Sequence, residues 1–596
     1  MNHVRLGATP QANGGTRFEV WAPRAGAVDV VVEDRAPVAL AADDTSGTWV
    51  GVVDGVGHGD RYRFRLDHGD ELADPASGWQ PDGVHGPSAV VDPGRFTWTD
   101  DGWRGVELAD AILYELHVGT FTPDGTLDAA IGELARLAEL GVTAVELMPL
   151  NAFPGRRNWG YDGVFPSAVQ DSYGGPEALA RFVDAAHAIG LAVVVDVVYN
   201  HLGPEGNVLG QYGPYTTDVY RTPWGDAINV AEEGSDDVRR TFTESACRWI
   251  EDFHVDGLRL DAVGFIFDPT AQTFLEEIVA AVHAAGAAAG RTVLVIAESA
   301  ANDPRVVRGV DAGGFGCDAM WDDDVHHALR VALTGDRRGY YVDYDGVGDL
   351  VTAFRHRWVF RGRRSSYRGR RHGRDVDDVA PARFVVFTSN HDHVGNTPDG
   401  ARPPFDPPAR IVAAATVLLS PFTPMLFMGE EYAEPAPFPF FVDHGDPALI
   451  DAVRRGRHEE FARAEWTSEV ADPADPATFA AAVLDPSRSQ RSPHREVLAA
   501  YRELIVLRRR HGVVHAADAD QTVDRVDDAL IVARRTTTAR SVLVVNLGAH
   551  PVTVDAVGLV VAFDSRDRRW GGESGVELLG GRLALAATTV ALLVTP

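Results

Sequence analysis

Three carboxylates each follow an apolar, strand-like segment: Asp261 after Gly257-Leu258-Arg259-Leu260, Glu298 after 293–297, and Asp392 in Asn390-His391-Asp392 after the run that begins at Phe384. A βα barrel gathers residues from the C-terminal ends of different strands into one pocket, and these segments have that form. Paired acids in one pocket are what glycosidic-bond cleavage requires. In the retaining form the nucleophile and the acid stand roughly 5–5.5 Å apart. Asp261 is expected to be the nucleophile, kept ionised by Arg259 two residues earlier on the same strand face. Glu298 is expected to be the acid/base, its pKa raised by a partly apolar pocket and a neighbouring negative charge. Asp392 is expected to bind sugar hydroxyls and stabilise an oxocarbenium-like transition state, with His391 and His201 donating hydrogen bonds nearby. A single acid of this kind could equally cap the helix after its strand. Three in order, with these neighbours, point to a site.

The elements that must position these acids are readable from Ile112 onward, where strand, loop and helix alternate. Strands are predicted over 112–117, 142–148 and 191–198, and near 257, 293, 317, 384 and 425. Leu127, Ile131, Leu134 and Ala138 mark one face of a helix that stops at Gly141, and a second helix over 178–189 stops at Gly190. The 191–198 segment is almost wholly apolar, which suits a parallel strand covered on both faces. The fold class is multidomain α/β: a (β/α)8 TIM barrel flanked by an N-terminal β-sandwich and a C-terminal antiparallel β domain. The expected divisions are 1–105, 106–512 and 513–596. In the first, the alternation of Arg61-Tyr62-Arg63-Phe64-Arg65-Leu66 is that of a half-buried strand. In the last, apolar runs are expected over 529–533, 541–547 and 583–594. The irregular stretch 201–229 is expected to fold over the barrel mouth.

A chain of 596 residues is too long for one core, so several domains are expected. The formal net charge of −31 argues against a nucleic-acid or anionic-membrane partner and suits a neutral sugar. All 55 basic residues are arginine, which removes Schiff-base, pyridoxal phosphate and P-loop lysine chemistry. Two distant cysteines, Cys247 and Cys317, suit neither a disulfide framework nor a cysteine metal site. The opening residues lack the apolar run of a signal peptide and nothing approaches a membrane span, so a cytoplasmic location is expected.

Four segments resemble, in order, the signature segments of the α-amylase family: Asp196-Val197-Val198-Tyr199-Asn200-His201, Gly257 to Asp261, Ala297-Glu298-Ser299 and Ser389-Asn390-His391-Asp392. The resemblance implies the same three roles for Asp261, Glu298 and Asp392. It adds Asp196, His201, Arg259 and His391 as supporting, substrate-binding residues. Tyr161 matches the aromatic platform under the sugar, with Trp159 beside it. Further segments resemble the maltooligosyltrehalose trehalohydrolases, among them Tyr114-Glu115-Leu116-His117-Val118-Gly119-Thr120-Phe121-Thr122, Thr222-Pro223-Trp224-Gly225, Met428-Gly429-Glu430-Glu431-Tyr432 and Arg455-Gly456-Arg457. That resemblance implies hydrolysis of the α-1,4 bond next to a terminal trehalose unit, with a maltooligosyltrehalose synthase as pathway partner. The chain departs from the family pattern at Gly264, Ala300, Met320, Ser389 and His393, positions expected to line the pocket.

Other features receive blander readings. The arginines of 355–374 are expected to form ion pairs and sugar contacts rather than bind nucleic acid. His326-His327 are read as substrate contacts or helix polarity, since consecutive helical side chains point apart and rarely share an ion. Asn200 sits where calcium-dependent relatives place a ligand, but it lacks partner oxygens, and no metal or other cofactor is expected. Trp159, Tyr161, Tyr212, Tyr215 and Trp224 are candidates for stacking on glucose or for packing the long loop. Glu430-Glu431 could face the pocket or buttress it. The alternatives to a trehalose-releasing hydrolase are a debranching, branching or glucan-transferring enzyme and, less compatible with intact acids, a silent glucan-binding barrel.

Overall fold

The structure is a computed structural model, which describes residues 5–12, 14–43, 46–463, 466 and 469–596. The first four residues of the opening segment, expected to lack an apolar leader, lie outside that range. No described helix is long and apolar enough to cross a membrane.

Eight parallel strands close into a barrel. They are β1 (Leu113–Leu116), β2 (Ala144–Leu147), β3 (Ala192–Val197), β4 (Gly257–Leu260), β5 (Leu294–Ala297), β6 (Ala319–Trp321), β7 (Phe384–Phe387) and β8 (Thr423–Phe427). All eight predicted strands are present, and β8 pairs back onto β1. Strand side chains alternate between faces. A buried apolar cluster containing Leu113, Ala144, Ala192, Leu294 and Ala319 therefore fills the lower barrel. Further along the same face, two residues on from Leu113 and Ala144 and four on from Ala192, stand Glu115, Glu146 and Asp196, with Arg259 beside Asp196 on β4, all buried. The barrel interior changes from apolar to charged as it approaches the mouth. Gly257 permits that closure: a Cβ there would stand 2.6 Å from the Leu294 carbonyl oxygen.

The helix over Leu127–Leu140 begins with the Thr126 hydroxyl accepting from the Ala129 N–H and ends at Gly141, whose φ of 104° favours glycine. Its buried face is Leu127, Ala130, Leu134, Leu137 and Leu140. Ile131 and Ala138, expected on that face, are only half-buried, because the helix is rotated toward its i, i+3, i+7, i+10, i+13 row, four leucines and Ala130.

Before the barrel, two antiparallel sheets face each other. One orders Gly7–Gln11, Gly15–Trp21, Thr48–Asp54 and Ala41–Asp43; the other orders Val38–Ala39, Val28–Val32, Arg61–Leu66 and Glu71–Leu72. Tyr62 and Phe64 point inward onto Phe18, with ring centroids 4.9 and 6.4 Å away. After the barrel come a five-stranded and a three-stranded antiparallel sheet. The run 583–594 is not one strand. Arg582–Leu585 joins the small sheet and Thr589–Val594 the large one, separated by a turn in which Thr588 has positive φ.

The stretch 201–229 holds a short helix, Leu209–Tyr212, and a hairpin of Thr216–Thr222 with Gly225–Ile228. Tyr212 and Tyr215 are buried and pack the loop against the N-terminal sandwich. The Tyr212 hydroxyl donates to the Ala73 carbonyl at 2.9 Å, and Tyr215 meets Trp21 edge-on at 5.2 Å. Trp224, at the hairpin tip, stays half exposed at the barrel mouth.

Candidate active site

A cavity of about 900 Å³ opens at the C-terminal ends of the strands. Asp261, Glu298, Asp392, His391, His201, Tyr161 and Trp159 all line it. The three predicted acids therefore come together, each from the residue or loop that follows a different strand.

Arg259, wholly buried on β4, organises the floor. Its Nη1 donates to both oxygens of Asp196, at 3.0 and 2.8 Å, and to Asp261 Oδ1 at 2.9 Å. Its Nη2 lies 3.2 Å from Glu298 Oε2. One guanidinium thus touches acids from β3, β4 and β5, and it sits 4.1 Å over the Trp321 ring, whose face favours a cation. Asn200 donates to Asp261 Oδ2 at 2.7 Å and to its carbonyl at 2.8 Å, so both Asp261 oxygens are oriented by donors. Asp196 and Arg259 were expected among the substrate-binding residues. They lie beneath the cavity and reach it only through Asp261, Glu298 and Tyr161, whose hydroxyl donates to Asp196 Oδ2 at 2.6 Å.

The electrostatics separate the acids. Burial pushes the Glu298 carboxyl up to about 8; Arg259 pulls it down, and Asp261 and Asp392 add to the rise. The Ala262 N–H donates to Glu298 Oε2 at 2.7 Å and fixes its direction. Asp196 is raised to about 6 by burial, against the pull of Arg259. Burial disfavours the His391 cation, yet Asp392 and Glu115 outweigh it and raise His391 to about 9. Burial lowers the pKa of His201, whose Nε2 lies 3.0 Å from the Tyr161 carbonyl oxygen and whose ring stacks on Trp224 at 4.3 Å. Asp392 Oδ1 accepts from Asn396 at 3.0 Å, and Asn396 is held in turn by Arg457 at 3.0 Å.

Several sequence expectations change. Gly264, Ala300, Met320, Ser389 and His393 do not line the cavity: Met320, Ser389 and His393 are buried behind it, and Gly264 and Ala300 are exposed beside it. His326 and His327 are neither sugar contacts nor terminal charges. Both are buried, His326 between the Thr388 carbonyl and the Tyr341 hydroxyl and His327 on the Tyr344 hydroxyl. The arginines of 355–374 form ion pairs, as Arg363 does with Asp349 at 2.6 Å, but none lines the cavity. Glu430 and Glu431 are buttresses: Glu431 is paired with Arg136 at 2.6 Å, and Glu430 accepts from Thr388 at 2.8 Å. Among the described residues no group of three or more His, Cys, Asp or Glu side chains is arranged to hold a metal ion.

Sequence reasoning missed the far wall of the cavity. Arg338, Tyr340, Tyr341, Tyr367, Glu460 and Trp466 form it, with the Arg338 guanidinium 3.7 Å over Trp466. Glu460 lies on the helix Pro447–Arg463, Tyr340 and Tyr341 on the short turn of helix Gly339–Asp343, and the others on connecting segments, so no single sequence pattern marks them together. Tyr367 lies within the 355–374 stretch singled out in the sequence, though for its arginines, and the neighbouring Arg457 within the singled-out Arg455-Gly456-Arg457.

Comparison with known proteins agrees with this architecture. Residues 5–81 match the carbohydrate-binding module 48 (isoamylase N-terminal domain) model, and residues 90–221 match the alpha amylase catalytic domain model. A malto-oligosyltrehalose trehalohydrolase of Arthrobacter ramosus is 49% identical over 85% of this chain and 89% of its own length. One from Saccharolobus solfataricus is 43% identical over 84% and 86%. A solved chain from Salmonella typhimurium superposes with a TM-score of 0.90 at 35% identity, covering 99% of each chain.

Proposed function

The chain belongs to the malto-oligosyltrehalose trehalohydrolase family of glycoside hydrolases, and from that premise we propose that it cleaves the α-1,4-glucosidic bond next to the trehalose end of a maltooligosyltrehalose and releases trehalose. The observation that carries the mechanism is the shared guanidinium. Arg259 holds Asp261 and Glu298 together while their surroundings keep a proton on Glu298.

Asp261 attacks the anomeric carbon of the glucose in the pocket as Glu298 gives its proton to the departing O4 of trehalose. The glycosidic C–O bond breaks and a glucosyl ester to Asp261 forms. Glu298, now a carboxylate, takes a proton from water. That water attacks the anomeric carbon, freeing the shortened glucan and restoring both acids. Asp392 and His391 grip the sugar hydroxyls as its ring flattens, and Tyr161 lies beneath the ring. The aromatic and charged far wall, from Tyr340 to Trp466, stands where the departing disaccharide would rest. The reading takes the domain divisions near residues 105 and 512. It also takes a cytoplasmic location, consistent with the free thiols Cys247 and Cys317, and a synthase upstream that supplies the trehalose-ended chain.

The test is product analysis on a maltooligosaccharide and on the same chain ending in trehalose. Free trehalose from the capped chain, with little attack on the plain one, is the expected result. Equal attack on both, or longer and branched products, would move the chain to a debranching, branching or glucan-transferring activity with the same acids.

A further inference from the structure

Glu115 takes no part in the bond cleavage described above, yet it is buried on β1 directly beneath the site. Its two oxygens have different tasks. Oε2 accepts the backbone N–H of His391 at 3.0 Å, and Oε1 meets the His391 ring at Nδ1. The opposite ring nitrogen, Nε2, lies 3.5 Å from Asp392 Oδ2. The ring is stacked on Tyr161, centroids 5.2 Å apart, and Trp159 stands edge-on to it at 5.3 Å. We propose that Glu115 is the positioning residue of the sugar-binding end: it clamps His391 at ring and backbone so that the Nε2–H points at Asp392 and at the sugar hydroxyl shared between them.

The alternatives around the ring do not supply this clamp. Glu146, the register partner of Glu115 on β2, has no hydrogen-bond partner on either oxygen among the described residues, and burial raises its pKa well above the ordinary value. Asp196 is engaged by Arg259 and Tyr161. Arg259, His117 and His393 are the other charged or titratable groups facing His391, and none offers an anion to Nδ1. A ring that gives its Nδ1–H to a carboxylate and has its backbone fixed by the same group has one orientation, and as the imidazolium that Asp392 and Glu115 favour it keeps Nε2–H as its one remaining donor. The inference rests on the proposed function only for the choice of substrate.

The experiment uses the full chain and two variants, Glu115→Gln and Glu115→Asp. The His391 ring is titrated by NMR without substrate, its signal assigned by its loss in His391→Gln. In Glu115→Gln the His391 midpoint should fall by roughly 1–3 pH units as an adjacent opposite charge is lost. On whichever glucan the wild type hydrolyses, kcat should fall about 100-fold, as for a misplaced active-site group, with KM changing less. Glu115→Asp, which keeps the charge, should retain most of the midpoint and recover part of kcat. An unmoved midpoint with kcat within about twofold of wild type in Glu115→Gln overturns the proposal. Should Glu115→Gln not fold, Glu115→Asp decides alone: a kept midpoint with reduced kcat supports the clamp, and unchanged kcat overturns it. Because the titration needs no substrate, a failure to release trehalose would leave this result standing.

Discussion

Strand β4 carries a buried ionic cluster at each end, and the two are built oppositely. At its N-terminal end Asp256 accepts from Trp103 Nε1 at 2.7 Å, from the Val193 N–H at 2.9 Å and faces His187 Nε2 at 2.8 Å. The other nitrogen of His187 lies 2.8 Å from Asp100, which also pairs with His254 at 2.8 Å, and Arg291 stands 3.7 Å from Asp256. Two acids there face three basic side chains, and every polar atom of His187 and Asp256 has a partner. Five residues later, at the mouth, Glu115, Glu146, Asp196, Asp261, Glu298 and Asp392 crowd around Arg259 and His391. Burial is similar at both ends; the balance of charge is not. The matched cluster joins the segment before β1 to the barrel. At the mouth burial raises the carboxyls of Glu298, Asp196 and Glu146, and the surplus of neighbouring acids adds to the rise, as suits a site needing a protonated acid. The N-terminal face of such a barrel serves stability and the C-terminal face chemistry, and one strand here displays both.

Mutations can break that contrast. Asp261→Ala should abolish turnover, a loss of roughly 10⁴-fold or more in kcat, with an unchanged far-ultraviolet spectrum and sugar binding retained. Substantial residual turnover would remove Asp261 from the nucleophile role. Glu298→Gln should slow cleavage about 10²–10⁴-fold, less for substrates whose leaving group needs no proton. Equal losses on good and poor leaving groups would count against the acid role. At the other end, Asp256→Ala should leave kcat unchanged at temperatures where the fold persists, while denaturant unfolding shows a loss of about 3–5 kcal/mol, because a buried cation loses its partner. A fall in kcat without a fall in stability would erase the distinction between the ends.

The smallest effect is on pH. Glu298 must hold its proton to act, so kcat/KM should decline as pH rises through about 8, and Glu298→Gln should lack that limb. The stability sign follows from the same shift. The unfolded chain ionises this carboxyl above its ordinary value of 4.5, whereas the folded chain keeps the proton to about 8. Glu298 therefore costs stability progressively as pH rises across that window, and stability profiles of wild type and Glu298→Gln should diverge there.

Much of the site was legible because barrel topology converts sequence position into place. Asp261, Glu298 and Asp392 each follow a short apolar run, and any such residue of a closed barrel arrives at one mouth. The departures at Met320, Ser389 and His393 misled for a local reason. Proximity in sequence to a signature segment does not say which way a side chain points, and these three turn into the wall behind the cavity. Glu430-Glu431 could not be placed from sequence because a buried acid and a pocket acid look alike until their partners are known. Here the partners Thr388 and Arg136 come from 42 and 295 residues away.

The sequence by itself determined the barrel, its flanking β layers and the meeting of three carboxylates at one mouth, because period, glycine stops and strand-end carboxylates are local signals. Tertiary structure alone decided that Arg259 touches three acids at once, that Glu115 reaches across 276 residues to His391, and that Tyr340 and Trp466 share a wall. Those facts depend on distances between segments remote in the chain, and pKa values and orientation depend on them too. No local pattern encodes a distance between residues that only folding brings together.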